Sequence, residues 1–437
     1  MWPRWCWLGL LGLVSACSGE TGVLAVTLTE APGSTLLDSV QQLRMTLTNP
    51  RQVTTADRTA HGFEISLELP ASGEDTAILV EGFDAGGALV ANGASPAFPT
   101  GALNGRIVIY MAPPLSVGAS PAVLSPARSE VAAAPLTYGA IFAGGRLETG
   151  PVSDAISIYN AFDHSVVVGL PMPAPRTALA LATGGNNAAY MFGGSDDADA
   201  PTADLWRFDT NARPNGAYLD YGAKDAFART GQSAVPLANE QFLITGAPPA
   251  QFSGLNGEMI ARDEIAALPA AGVSLIANDG KPTSIFAGPS GVVRFREGTF
   301  TTLSIPEAAR PDANVVALPG GKVLVVCGTT DAVRIDAASG DAETLPNIPS
   351  VAKTGCAAAA TSRFLIIAGG TAAGTIDGTV EIFDAATLAP ITTAPLTVPR
   401  TNAVAIALPN GQILIASGLT PSNAPVSTLE LFTPPVN

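Results

Sequence analysis

The sequence predicts an all-β chain: a seven-bladed β-propeller over residues 121–437, preceded by a small immunoglobulin-like β-sandwich over 22–112. Three observations predict it. The stretch RTALALATGGNNAAYMFGG at 176–194 returns as RTNAVAIALPNGQILIASG at 400–418, with the same Arg-Thr start, turn position and glycine ending. Closing glycines of this kind recur at Gly145, Gly194, Gly246, Gly288, Gly328, Gly370 and Gly418, between 40 and 52 residues apart, which is the length of one four-stranded blade. Upstream of the repeats, short alternating segments crowd into about 90 residues, as a sandwich requires.

Taken in chain order, residues 1–16 read as an export leader. MWPRWCWLGLLGLVSAC has one Arg, then an apolar run too short to span a membrane, then small residues before Cys17. Val14-Ser15-Ala16-Cys17 resembles the bacterial lipobox, which implies that Cys17 becomes the lipidated first residue and that 17–21 form a tether. Two or three acyl chains anchor stably where one does not. Ser18, rather than Asp, follows the Cys; by the enterobacterial sorting rule this implies the outer membrane, facing the periplasm or the outside. An ordinary signal peptide with an incidental Cys is the competing reading.

In the expected sandwich, HGFEISLELP at 61–70 places Phe63, Ile65, Leu67 and Leu69 on one face and Glu64, Ser66 and Glu68 on the other, the pattern of a half-buried strand. LAVTLTE, QLRMTLTN, TAILVEGFD, GALVANG and GRIVIYM supply further strands. Residues 113–120 read as a linker.

Within the propeller a basic residue opens six of the seven units: Arg128, Arg176, Arg229, Arg310, Lys353 and Arg400 each stand 17 or 18 residues before a closing glycine. The remaining copy, Ala271 to Gly288, lacks its Arg. A third strand follows each glycine, as in ISIYNAFD, DLWRFDT, TVEIFDAAT and TLELFTP, often ending in Asp, whose side chain stabilises the turn. The third copy of that strand is sought around Glu258 to Asp263. The last unit stops after its third strand, so the stretch before Arg128, around Pro121 to Ser125, is expected to supply the missing outer strand and close the ring. Closure leaves no long sheet edge open.

These residues resemble the kelch motif: a basic residue, a small-apolar strand, a turn, a strand ending in Gly-Gly, and a strand with an aromatic and Asp. The resemblance covers roughly residues 120 to 437, with full glycine pairs at Gly144-Gly145, Gly193-Gly194 and Gly369-Gly370. Some kelch-like propellers are copper oxidases with paired His and Tyr ligands, and nothing here matches that set.

Charge and composition narrow the function. The formal charge is −15, and loss of Arg4 with the leader leaves 21 positive against 37 negative residues, or −16. Without a Lys/Arg cluster, such a chain is a poor nucleic-acid binder, and it meets the membrane only through its anchor. The two histidines, His61 and His164, lie far apart and neither has an evident nucleophile or metal partner; no cofactor and no metal is expected. GSDDADAPTAD at 194–204 offers Asp196, Asp197 and Asp199 as hard oxygens but lacks an EF-hand pattern, and a solvated loop is the simpler reading.

In a four-stranded meander the first strand starts on the face where the second ends. Arg128, Arg176, Arg229, Arg310 and Arg400 are therefore expected to ring the face that carries the long second-to-third-strand loops. They form a candidate binding face for carboxylates or polar glycans, or each braces the loop carbonyls of its own blade. Cys327 and Cys356 remain as the only thiols once Cys6 leaves and Cys17 is lipidated. They fall on one face of neighbouring blades and are expected to form a disulfide in an oxidising compartment. The competing reading is two buried small residues.

The function expected is a monomeric, lipid-anchored envelope protein whose propeller binds or scaffolds a protein or glycan, without catalysis. The alternatives are a carbohydrate-active enzyme, a lyase or hydrolase, using acidic residues and Tyr on a propeller face, and a purely structural envelope component.

Overall fold

The computed structural model describes residues 25–60, 63, 73–100 and 106–436. The leader with Cys17, most of the segment 61–70, and His61 lie outside the described residues.

Seven four-stranded antiparallel sheets follow one another among the described residues. The first comprises Ala132–Leu136, Gly139–Ala143, Ile156–Asn160 and Ser165–Val168, and the second Ala180–Thr183, Ala188–Phe192, Leu205–Asp209 and Ala217–Asp220. The third is Ala234–Pro236, Gln241–Ile244, Ala250–Ser253 and Met259–Ala261, and the fourth Ala271–Ile276, Pro282–Gly288, Gly291–Arg296 and Thr299–Leu303. The fifth is Asn314–Leu318, Lys322–Val326, Asp331–Asp336 and Ala342–Pro346, and the sixth Ala357–Ala360, Phe364–Ala368, Thr379–Asp384 and Pro390–Pro395. The seventh has three strands from the chain's end, Val404–Ala407, Ile413–Ala416 and Thr428–Thr433, and a fourth, Ser116–Val123, from before the first sheet.

First strands of successive sheets lie side by side, and Val404–Ala407 meets Ala132–Leu136, so the series closes on itself. Second strands are the most buried: Gly139–Ala143, Ala188–Phe192 and Phe364–Ala368 are buried at every position, and Pro282–Gly288 at all but its first. Their near-continuous apolar runs fit sheets covered on both faces by neighbouring sheets. The core is accordingly a series of clusters between sheets. One joins Ile141, Ile156 and Phe208 across the first and second sheets, and another joins Leu324, Leu365 and Phe383 across the fifth and sixth.

The closing strand begins inside the stretch 113–120 that the sequence reads as a linker. Its partner is Thr428–Thr433, with Val117 opposite Phe432 and Gly118 opposite Leu431. The third sheet carries a second correction. Its third strand is Ala250–Ser253, and the segment near Glu258 that the repeat pattern favours for that place is instead the fourth strand, Met259–Ala261. Phe252, buried in the third strand, is the aromatic of this unit, eight residues nearer its glycine than Ile260.

Ahead of the ring, one four-stranded sheet runs Arg51–Asp57, Gln42–Thr48, Ile78–Phe83, Leu89–Ala94 in spatial order, and a parallel pair joins Ala25–Thr29 to Arg106–Tyr110. Leu43, Met45, Val80, Ile107 and Ile109 fill the space between them. This unit rests on the ring's seam. Tyr110 belongs to the apolar cluster shared by the first and seventh sheets, the N–H of Val108 donates to the Phe162 carbonyl at 2.7 Å, and the Asn92 amide donates to the Pro434 carbonyl at 2.8 Å.

Candidate functional site

The recurring basic residue and closing glycine explain each other. The N–H of Gly145 donates to the carbonyl of Arg176, Gly194 to Arg229, and Gly370 to Arg400, each at 2.9 Å, and Gly328 to Lys353 at 2.7 Å. The glycine of one sheet thus holds the basic residue that opens the next. A side chain on the glycine before it has no room: a Cβ on Gly144 would lie 2.1 Å from the Arg176 carbonyl and one on Gly369 2.3 Å from that of Arg400. At the seam the Ser417 hydroxyl takes over, donating to the Arg128 carbonyl at 2.7 Å.

The basic side chains run back into the wall. Arg128, Arg310, Lys353 and Arg400 are buried, Arg176 is 8% exposed, and Arg229 is half-buried. Arg128 donates to the Ala155 carbonyl and, at 2.8 Å, to Ser157; Arg176 pairs with Asp204 and lies 5.4 Å from the centre of the Trp206 ring. Arg229 donates to the carbonyls of Thr245 and Pro248 at 2.9 and 2.8 Å, and Arg310 to Thr329 Oγ1 and the Asp331 and Glu307 carbonyls. Lys353 Nζ is 2.7 Å from Asp377 and 2.9 Å from Glu381, and Arg400 Nη2 is 2.5 Å from Glu430. The ring of cations that the sequence offers as a binding face is therefore turned inward onto groups of its own sheets. The guanidinium's fork of donors suits a turn with several outward carbonyls. Burial lowers the Arg128 guanidinium to about 10, and lowers that of Arg400 against the opposing pull of Glu430.

Four of the six basic residues have a partner in one column that sequence reading passed over. Ser157, Trp206, Glu381 and Glu430 are each the second residue of the motif in the third strand (ISIYN, LWRFD, VEIFD, LELFT). Aligning that column against Arg128, Arg176, Lys353 and Arg400 would have shown a hydroxyl, an aromatic or an acid beneath each of these four, whereas Arg310 has Val333 there. A second missed signal lies two residues after each basic residue. Glu130, Ala178, Gly231, Asp312, Gly355 and Asn402 all have φ between +49° and +66°. Two of these positions link round the ring, Gly231 N–H to the Ala178 carbonyl at 2.9 Å and Asn402 N–H to the Gly355 carbonyl at 2.8 Å.

Inside the ring lies a cavity of about 460 Å³, walled by first strands of the first four sheets, from Ala132 through Leu181 and Ser233 to Ser274. Its side chains are uncharged, alanines the commonest, beside a few leucines, valines and hydroxyl residues and Gln232.

The other candidate residues fall elsewhere. In the acidic loop, Asp199 pairs with Arg146 at 2.6 Å, Asp197 accepts the Val152 N–H at 2.6 Å, and Asp196 accepts the N–H groups of Ala198 and Ala200. These carboxylates fold the loop and strap the second sheet to the first. His164 is 2% exposed at the seam. Its Nε2 accepts the Tyr110 N–H at 3.3 Å, so Nδ1 carries the proton of the neutral ring and donates to Tyr159 Oη at 2.6 Å. Burial holds its pKa down at about 4, with Asp163 opposing. Cys327 and Cys356 form a disulfide with Cα atoms 6.1 Å apart, linking the second strand of the fifth sheet to the first of the sixth. No helix among the described residues is long and apolar enough to cross a membrane.

No family model matches the chain, and no curated protein does. A solved structure titled "Structure of YjhT" is similar to it at 14% sequence identity and a TM-score of 0.43, over 60% of this chain and 96% of that one.

Proposed function

We infer that the closed series of sheets is a seven-bladed, kelch-type propeller behind an immunoglobulin-like sandwich. We infer further that the chain is a lipid-anchored cell-envelope protein that binds or scaffolds a protein or glycan without catalysis. The observation that carries this reading is the commitment of the basic ring. Its charged groups are bonded into the blade walls, so the ring presents neutral strand edges at its axis and polar loops at its rim. Such surfaces recognise partners; proton transfer needs a titratable group at the reacting atom.

The anchor follows from Cys17. Eight residue steps separate it from Ala25, a reach of at most about 28 Å, which would hold the sandwich against the bilayer surface. Cross-linking and affinity capture from solubilised envelopes, beside a glycan array, tests the binding role. The reading expects a saturable partner or glycan, and turnover of a polysaccharide by the purified chain would contradict it.

A further inference from the structure

The cavity inside the ring has a chemistry that selects its ligand. Each first strand pairs with one neighbour only, because it begins its sheet, so alternate backbone N–H and C=O groups on its other edge face the channel. The residues along these edges include Ala132, Ala182 and Ser233, with Thr183, whose hydroxyl donates to the Pro135 carbonyl at 2.8 Å, and Ser274, whose hydroxyl shares a bond with that of Ser284 at 3.1 Å; the lone pairs of both remain open to a further donor. No residue lining the cavity carries a charge. An ion entering it would lose water and meet no counter-charge, since Arg176 and Arg229 direct their guanidinium groups to Asp204 and to the Thr245 and Pro248 carbonyls.

Gln232 adds an independent observation. It lines the same cavity and donates through Nε2 to the Phe192 carbonyl at 2.8 Å, while its buried Oε1 has no partner. A buried acceptor left unpaired is costly in a folded protein, and a ligand hydroxyl would satisfy it once the Gln232 amide turns from the Phe192 carbonyl toward the channel. The volume, about 460 Å³, falls within the range of small-molecule sites, roughly 300–1,000 Å³.

We propose that this channel binds a neutral saccharide of one or two rings. Its hydroxyls pair with the free strand edges, the seryl and threonyl hydroxyls and Gln232 Oε1, and its C–H faces pack on the alanines. The proposal rests on the binding role inferred above and names the ligand class for one of its surfaces.

Calorimetric titration of the full chain tests it, with D-glucose, D-galactose, N-acetylglucosamine and maltose as neutral probes, and D-glucuronate and D-glucosamine as charged ones. At least one neutral sugar should bind, with the charged sugars weaker by about tenfold or more. Gln232→Leu should weaken that neutral sugar by about tenfold, the loss of one hydrogen bond, and Ser233→Phe should abolish binding by filling the channel. Gln232→Leu keeps the test sharp if Ser233→Phe does not fold. Absence of binding by every neutral probe would overturn the proposal, as would equal binding of glucuronate or full affinity in a folded Ser233→Phe variant. Partner capture from envelopes by the Ser233→Phe variant separates the two readings: retained capture with lost sugar binding leaves the wider role standing, and no capture by the unaltered chain sinks that role alone.

Discussion

Arg400 Nη2 lies 2.5 Å from Glu430 Oε1, and neither side chain has any exposure to solvent. Glu430 also accepts the N–H groups of Thr397 and Val398, while Arg400 donates to the Val398 and Thr428 carbonyls. The pair ties the start of the seventh sheet to its third strand and leaves few charged atoms unsatisfied. Removing one partner strands the other charge in the wall. Glu430→Ala should therefore cost about 3–5 kcal/mol of stability, and Arg400→Ala a similar amount. Chemical denaturation checks both, and a loss below about 1 kcal/mol would mean that the pair does not brace the blade.

The same wall predicts a pH dependence through His164. Its folded pKa, about 4, lies below the ordinary 6.5, because burial disfavours the cation. The unfolded chain therefore binds the proton first as pH falls, and stability drops between about pH 6.5 and pH 4, reaching a full loss of about 3 kcal/mol below that window. Denaturation midpoints of the native chain and of His164→Asn, measured from pH 7 to pH 4, should converge toward the acid end. Parallel curves would show that His164 does not titrate in this way.

Cutting the chain tests the seam. A chain starting at Ser116 keeps the closing strand but loses Tyr110, whose backbone N–H bonds His164 and whose ring belongs to the seam cluster. It should fold with reduced stability. A chain starting at Arg128 also loses Ser116–Val123 and leaves Thr428–Thr433 as an open edge, so it should unfold at lower denaturant still and aggregate. Thermal melts of the three lengths give the order, and equal melting of the two shortened chains would contradict it.

The disulfide closes a loop across neighbouring sheets with a sequence separation of 29. In the chain-entropy account its loss costs roughly 3 kcal/mol. Replacing both cysteines with alanine should lower stability by about that amount with the fold kept, since Cys327 and Cys356 are buried among Val326, Ala332 and Ala358. Intact-mass analysis after alkylation without reductant should find no free thiol at either position.

Much of this was legible in the sequence, and the reasons differ from element to element. The Arg-to-glycine spacing located the strands because each repeat must rebuild the same contact with its neighbour. The outer strand of the last sheet was sought around Pro121 to Ser125 and lies a few residues earlier, at Ser116–Val123, and the disulfide came from counting thiols and placing them on neighbouring sheets. The direction of the arginines was legible only as one of two readings, a binding face or a brace on the loop carbonyls of their own repeat, and the brace is what the structure shows. A basic residue at a strand start reads alike whether it faces solvent or Glu430, and only its paired column on the third strand distinguishes the two. The third sheet misled because its second-to-third-strand connection is short and Phe252 lacks a following Asp. The Tyr110–His164 contact joins residues 54 apart through a fold-level juxtaposition, which no local pattern reports.

The central claim is that Ser116–Val123, from before the first sheet, completes the last one and closes the ring. Hydrogen–deuterium exchange of the full chain tests it most directly. Peptides covering Ser116–Val123 should exchange as slowly as those covering Thr428–Thr433, and both should lose protection together in a chain whose closing strand carries Val117→Pro. Rapid exchange of 116–123 beside a fully protected 428–433 would contradict the account.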